Sequence, residues 1–442
     1  MRKKNILRKT AVFIVAGTLS IYQSYGQTTT ALSGNGCNTE GTGTLGYYNT
    51  FVGASVGAGD ISGGNNNSFF GYEAGHFNST GSLNTCIGEQ SGYNNLIGSP
   101  NTFLGGESGY NNTTASNNVA LGYKALYTQS FSNASQQWFS YNVAVGDLAL
   151  FYNQPTVTDN GFRNTALGHG SGYSNTTGSN NLFLGHKAGF GSTTANYNVY
   201  AGYNAGYLNN SSNNVFIGAS AGYANSTGNN IAIGANALYG NTAPTTIGIG
   251  TSTLYNNSGS ANIAIGYATL NTNTSASYNT GCGYEVLLYN TGGYNTGYGS
   301  LALFENTSGE YNTANGVDAL LNNYGGSQNT ASGYQAGQGN VSGGSNTFVG
   351  YMADVNASNL SNMTAIGNGA VASTTYNFMC GNSTVNKVFS TNGFASTSDG
   401  RFKTNVTENV KGLEFIKKLR PVTYNLNTQA LDDFIPDYAL EK

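Results

Sequence analysis

Asp147, His169 and His186 each follow a glycine at comparable places along this 442-residue chain. A carboxylate with two imidazoles can hold a divalent metal if the fold brings the three together. Comparable places elsewhere carry Tyr123, Tyr203 and Tyr267, so the simpler reading is a surface row, and no metal or other cofactor is expected. Trp138, Phe139 and Tyr141 form an aromatic cluster whose ring faces suit sugar rings or a protein hot spot, or else local packing. Cys37, Cys86, Cys282 and Cys380 are even in number but far apart, none has metal-ligand spacing, and Cys86 and Cys282, on strand positions of a repeated block, are expected as buried core thiols. Ser398-Asp399-Gly400 reads as a turn with Lys403 as a nearby solvated charge. No phosphate-cradling glycine loop, catalytic triad or carboxylate pair stands out.

The elements that must position these residues are short and repeated. A block reading Asn, β-branched, small or aromatic, aliphatic, Gly recurs about every seventeen residues from Asn49 to Gly367, in 19 copies. Asn230-Ile-Ala-Ile-Gly234 and Asn262-Ile-Ala-Ile-Gly266 are its cleanest copies, and Thr246 and Met363 replace the Asn in two others. A fixed short period of this kind predicts a stacked solenoid. Asn and Gly tolerate turn geometry, and the three residues between them suit a strand. A sixteen- or seventeen-residue coil leaves room for two short strands and two turns. Within the strand, Ile231 and Ile233 point to one face and Ala232 to the other. Both faces are apolar, so one should line the coil and the other should pack on something else. The Ala/Phe face, at Ala120, Phe216, Ala232 and Phe348, is the one we expect at a subunit interface. The Asn residues should stack as an amide ladder that holds register. Nineteen coils predict a rod about 90 Å long.

Composition agrees with this architecture. Gly (64) and Tyr (32) are abundant, only 8% of residues are charged, and the regular β-branched and aromatic positions argue against disorder. The stretch 27–398 holds 12 Asp and Glu against four Lys and Arg, which offers no basic track for nucleic acid. Five of the first nine residues' side chains are basic, and the apolar run Ala11–Leu19 follows. Ser24 and Gly26 then suit signal cleavage after Gly26, so residues 1–26 predict an exported protein, extracellular or at the cell surface. That run is short for a membrane span, and no other stretch qualifies as a transmembrane segment. The spacing between anchoring glycines stretches to 24 residues before Gly146 and 22 before Gly168, and the longer insertion carries the Trp138 cluster. Loops that bulge from a rigid scaffold commonly carry recognition.

The Asn-Ile-Ala-Ile-Gly blocks resemble the head repeats of trimeric autotransporter adhesins over about 320 residues. That resemblance implies an all-β, left-handed parallel β-roll with three chains side by side. No heptad stalk or membrane β-barrel follows, so it extends to the head alone.

Near the end, the sequence predicts a turn, an amphipathic helix over about 408–419, a stop at Pro421 and a strand through Val422, Tyr424 and Leu426. The segment Ser398-Asp399-Gly-Arg401-Phe-Lys403-Thr-Asn405, with Ile416, Leu419 and Pro421-Val-Thr-Tyr424, resembles the intramolecular chaperone of phage endosialidases and tail fibres. The resemblance implies a homotrimer whose chaperone helps a β-structured fibre fold and then cuts itself off. Ser398 would be the nucleophile, Lys403 its base, and the bond between Ser398 and Asp399 the one broken. A lysine desolvated at an interface loses its proton and can activate a hydroxyl. The expected organisation is a signal peptide (1–26), the solenoid (27–375), a β linker (376–397) and part of the chaperone domain (398–442).

Three functional classes follow. The favoured one is an exported fibre or adhesin that meets a cell-surface glycan or protein receptor. A carbohydrate-active tail-spike enzyme and an ice-binding solenoid are the alternatives. The first lacks an acid pair, and the second needs a maintained threonine array. Thr50, Thr85, Thr102, Thr313, Thr330 and Thr347 alternate with aliphatic residues in other coils.

Overall fold

The computed structural model describes Gly46, residues 48–58 and 63–385, and the backbone of three short strands, Gln23–Ser24, Gln27–Thr28 and Thr30–Leu32. The rest of the 1–26 segment, Cys37 and the whole of 398–442 lie outside these residues. The chain divides into two units, Met1–Asn386 and Lys387–Lys442. The first is an all-β parallel solenoid, with no helix among the described residues.

Each of the 19 blocks forms one strand of three or four residues, from Thr50–Val52 to Thr364–Ile366. Thr30–Leu32 pairs before the first and Phe378–Cys380 after the last. Every pairing along this stack is parallel, with the middle strand positions superimposed, as in Phe216↔Ala232, Ala232↔Gly248 and Gly248↔Ala264. The expected second strand is absent from most coils. Among the described residues it appears only where Ala115–Ser116 pairs with Trp138–Phe139 and where Asp354–Val355 pairs with Val371–Ala372. Elsewhere the return path is a series of turns, with side chains held in the left-handed region at the residue before the Asn and at the second residue after the Gly. Tyr278 (φ 61°) and Glu285 (φ 53°) are examples. Backbone bonds still cross from coil to coil through these turns, as in Glu285 N–H to the Tyr267 carbonyl at 2.9 Å. The local strain is therefore offset by a bond at each level.

The assignment of the two strand faces is reversed relative to expectation. Ala120, Phe216, Ala232, Ala264 and Phe348 are fully buried inside the coil. The flanking Val119 and Leu121, or Ile263 and Ile265, point outward and are 37–39% exposed. The Ala/Phe face is thus the core and cannot be a subunit interface. Alternation alone could not decide between two apolar faces.

In most coils this core keeps its filling by exchanging volume between two positions; at Ala166 with Gly172 and Ala331 with Gly337, side chains of the adjacent coils, Phe183 and Leu150 or Phe348 and Leu320, take the space instead. Where the strand centre is Phe69, Phe103, Phe183 or Phe216, the fourth residue after the anchoring Gly is Gly75, Gly109, Gly189 or Gly222. A Cβ at Gly222 would stand 2.4 Å from the Phe216 ring. Where the centre is Ala232, Gly248 or Ala264, the same place carries Leu238, Leu254 or Leu270, each buried and each in the left-handed region. Phe with Gly, or Ala with Leu, fills the same slot.

Two asparagine columns then fix the register. In the repeat column, each Asn Oδ1 accepts the backbone N–H of the corresponding residue one coil on. Asn67 N–H to Asn49 (2.8 Å) and Asn230 N–H to Asn214 (3.0 Å) are examples. Many of the amide nitrogens reach a carbonyl of the following coil, as Asn262 Nδ2 does to Ala276 (2.8 Å). The bond system therefore runs mainly amide to backbone, and the expected amide-to-amide bond is found at three levels, Asn118 to Asn101, Asn181 to Asn164 and Asn198 to Asn181, each at 3.1 Å. Thr246 provides no such acceptor, and no bond of this kind leads from it to Asn262. The more continuous amide-to-amide ladder stands in a second column, seven residues after most of the anchoring Gly residues and broken at Ser192. Asn241 Nδ2 donates to Asn225 Oδ1 (2.7 Å), Asn257 to Asn241 (2.8 Å) and Asn273 to Asn257 (2.6 Å). Each of these side chains is buried, so an unmatched one would lose a desolvated hydrogen bond, about 1–3 kcal/mol.

Candidate functional site

The outward side of the strands is a continuous feature that a partner could meet. Its two rows are almost wholly aliphatic from Val119/Leu121 through Val215/Ile217 to Ile263/Ile265, with Thr165 the one polar member. Beyond Ile265 the character changes. Thr280, Thr296, Thr313, Thr330, Thr347 and Thr364 stand in register on six consecutive strands. The threonine row is therefore maintained over this stretch, contrary to the expectation from the scattered threonines. Its neighbouring row runs Cys282, Tyr298, Asn315, Ser332, Val349, Ile366, so bulk varies from Ser to Tyr and the surface is not flat.

The insertion before Gly146 places the three candidate ligand-contact rings differently. Trp138 is 4% exposed, packs edge-on against Phe131 at 5.7 Å, and its Nε1 has no protein acceptor. Its neighbours Phe139 and Tyr141 are exposed and lie 5.9 Å apart at a 31° tilt. Strand pairing with Ala115–Ser116 explains the split, because it turns Trp138 inward and Phe139 outward.

Asp147, His169 and His186 do fall in one column. The imidazoles of His169 and His186 stack at 5.2 Å, and His186 stacks on Tyr203 at 5.4 Å. Asp147 Oδ1 accepts the Tyr123 N–H at 2.9 Å. The column is used for ring stacking and a backbone bond, and no cluster of His, Cys, Asp and Glu suited to a metal occurs among the described residues. Cys86 occupies a strand centre and is buried, which pushes its thiol well above the ordinary range. Cys282 is in the outward row and only half-buried, so the expectation that it lies in the core is corrected. Both are free thiols, as is the exposed Cys380.

A longer aromatic column escaped the sequence reading. The fifth residue after each Gly, from His76 to Tyr255, is aromatic on eleven consecutive coils, and the rings stack face to face at 4.8–5.3 Å. All are half-buried. Burial leads the causes that raise the phenols of Tyr93, Tyr110, Tyr173 and Tyr223 above their ordinary value, so they stay protonated at neutral pH. The constant offset from Gly was the available signal, hidden because Tyr is common everywhere in this chain.

No helix among the described residues is long and apolar enough to cross a membrane. Ser398, Asp399 and Lys403 lie outside the described residues, so their mutual placement is not part of this geometry. No curated protein and no solved structure matches the chain. Residues 398–436 match the family of the chaperone of endosialidase, so the solenoid is followed by a segment of the kind found in tail-fibre-like proteins.

Proposed function

We propose that this chain is an exported fibre protein. Its rod mediates attachment to a surface, and its C-terminal segment assists the assembly of three chains. The single observation that carries the reading is a solenoid with a long exposed aliphatic face followed by a chaperone-of-endosialidase segment. A monomer rarely leaves a contiguous apolar stripe of this kind in water. Lateral packing of identical chains in register would cover it, and the rod would then present its insertion to a receptor.

Within this reading, Ser398 Oγ adds to the carbonyl carbon of the Ser398–Asp399 bond as Lys403 takes its proton, the C–N bond breaks as that proton passes to the Asp399 amine, and water opens the resulting cyclic ester to a Ser398 carboxylate. The chaperone should then be released after assembly. Ser398→Ala and Lys403→Ala should each leave the full-length mass unchanged while the fibre still assembles. Intact-mass spectrometry reads both. A wild-type protein that stays full length after complete folding makes the segment a retained cap, and Ser398→Ala cut at the wild-type rate removes the assigned chemistry.

The receptor contact falls to Phe139 and Tyr141, whose exposed rings sit at one level of the rod. On a glycan array, Phe139→Ala with Tyr141→Ala should lower binding of any glycan the wild type retains by at least tenfold. Unchanged binding would move the contact elsewhere on the rod.

A further inference from the structure

We propose that the aromatic column is a site of oxidative tyrosine–tyrosine coupling, in which a peroxidase-class oxidant using hydrogen peroxide joins successive coils covalently. Two uninterrupted phenol runs occur in it, Tyr93–Tyr110–Tyr127 and Tyr207–Tyr223–Tyr239–Tyr255. In the second run the ring centroids are 5.0, 4.9 and 4.9 Å apart and the planes lie within 2–6° of parallel. The backbone holds the partners at that spacing: Leu208 N–H bonds the Tyr223 carbonyl, Ala224 the Tyr239 carbonyl and Gly240 the Tyr255 carbonyl, at 2.7–2.8 Å. Neighbouring phenols are therefore held side by side, and coupling needs only ring movements that close this gap, without a diffusional search. Each is half-buried, so one side of the ring system remains open to a small oxidant.

The step balances as follows. Each of two tyrosines loses one electron and its phenolic proton. The unpaired spin spreads to the carbon ortho to oxygen, two such carbons form a C–C bond, and each ring returns its displaced ortho hydrogen to its oxygen. The two electrons and two protons released reduce one hydrogen peroxide to two waters. A bond of this kind would tie residues sixteen or seventeen apart, the role a disulfide often fills in an exported protein. Cys86, Cys282 and Cys380, free and on different levels, do not fill it. Phe151 and Phe190 interrupt the column, so coupling divides into the two runs.

The test treats the full chain with a peroxidase and hydrogen peroxide. Blue dityrosine fluorescence should appear while denaturing gels still show a single chain, with an intact mass lower by two hydrogens per bond. Peptide mapping should find Tyr223 or Tyr239 joined to its column neighbour, and the melting temperature should rise. Tyr223→Phe with Tyr239→Phe leaves no adjacent phenols in the second run. It should abolish links there and keep those among Tyr93, Tyr110 and Tyr127. This variant keeps its fold, because Phe already occupies the column at two levels. Links found only between chains, or a map with none in either run, would overturn the proposal.

Discussion

Phe216→Ala will destabilise the rod by about 3–5 kcal/mol, the usual cost of emptying a buried aromatic site, and adding Gly222→Leu will recover most of that loss. The Phe216 ring is fully buried, stacks on Tyr200 at 5.1 Å, and fills the slot in which a Gly222 side chain would otherwise lie. Gly222→Leu alone must collide with the ring, since its Cβ would meet Phe216 Cε2 at 2.4 Å. Both single changes therefore harm the coil, and for opposite reasons. The double variant recreates the arrangement of the following coil, Ala232 with Leu238, in which Leu accepts a φ of 52°. Urea unfolding of the four proteins measures the coupling. An interaction energy within about 0.5 kcal/mol of zero would mean the two positions do not share one volume.

The repeat itself was legible because its offset is fixed and its strand is short. Asn230-Ile-Ala-Ile-Gly234 already contains the turn, the strand and the close approach that demands glycine. Gly234 has φ 130°, and a Cβ there would sit 2.6 Å from the Gly250 carbonyl. Which face of the strand lay inside was not legible. Ala232 and Ile233 are both apolar, and nothing in alternation says which row a narrow coil can enclose. The structure answers through the return path, where Leu238 needs Ala232 to be small and Gly222 admits Phe216. The Asn257 ladder was missed for a related reason. Asparagines in loops are expected as turn formers, and the buried ones at a constant offset do not look different in sequence. The candidate cutting residues present the reverse case: Ser398 and Lys403 were read from a motif alone.

Adjacent residues on one strand should therefore give opposite phenotypes when each is replaced by lysine. Ala264 is fully buried among the stacked strand centres, so Ala264→Lys places an unpaired ammonium in a dry core and should unfold the surrounding coils, a loss of several kcal/mol. Ile265 is 39% exposed in the outward aliphatic row. In a single chain Ile265→Lys costs little, since a charge there reaches water and exposed substitutions usually change stability by under about 0.5 kcal/mol. If three chains pack along this row, the same lysine is desolvated against its neighbours and assembly should be lost. Light scattering should then report a trimer for the wild type and a folded monomer for Ile265→Lys, with circular dichroism unchanged. Thr330→Lys supplies the comparison, because Thr330 is exposed on the same face in the polar stretch. A trimer that tolerates Ile265→Lys but not Thr330→Lys would place the contact on the threonine row. A wild type that is monomeric at all concentrations would leave the aliphatic row to another partner and remove the trimer from the proposed function.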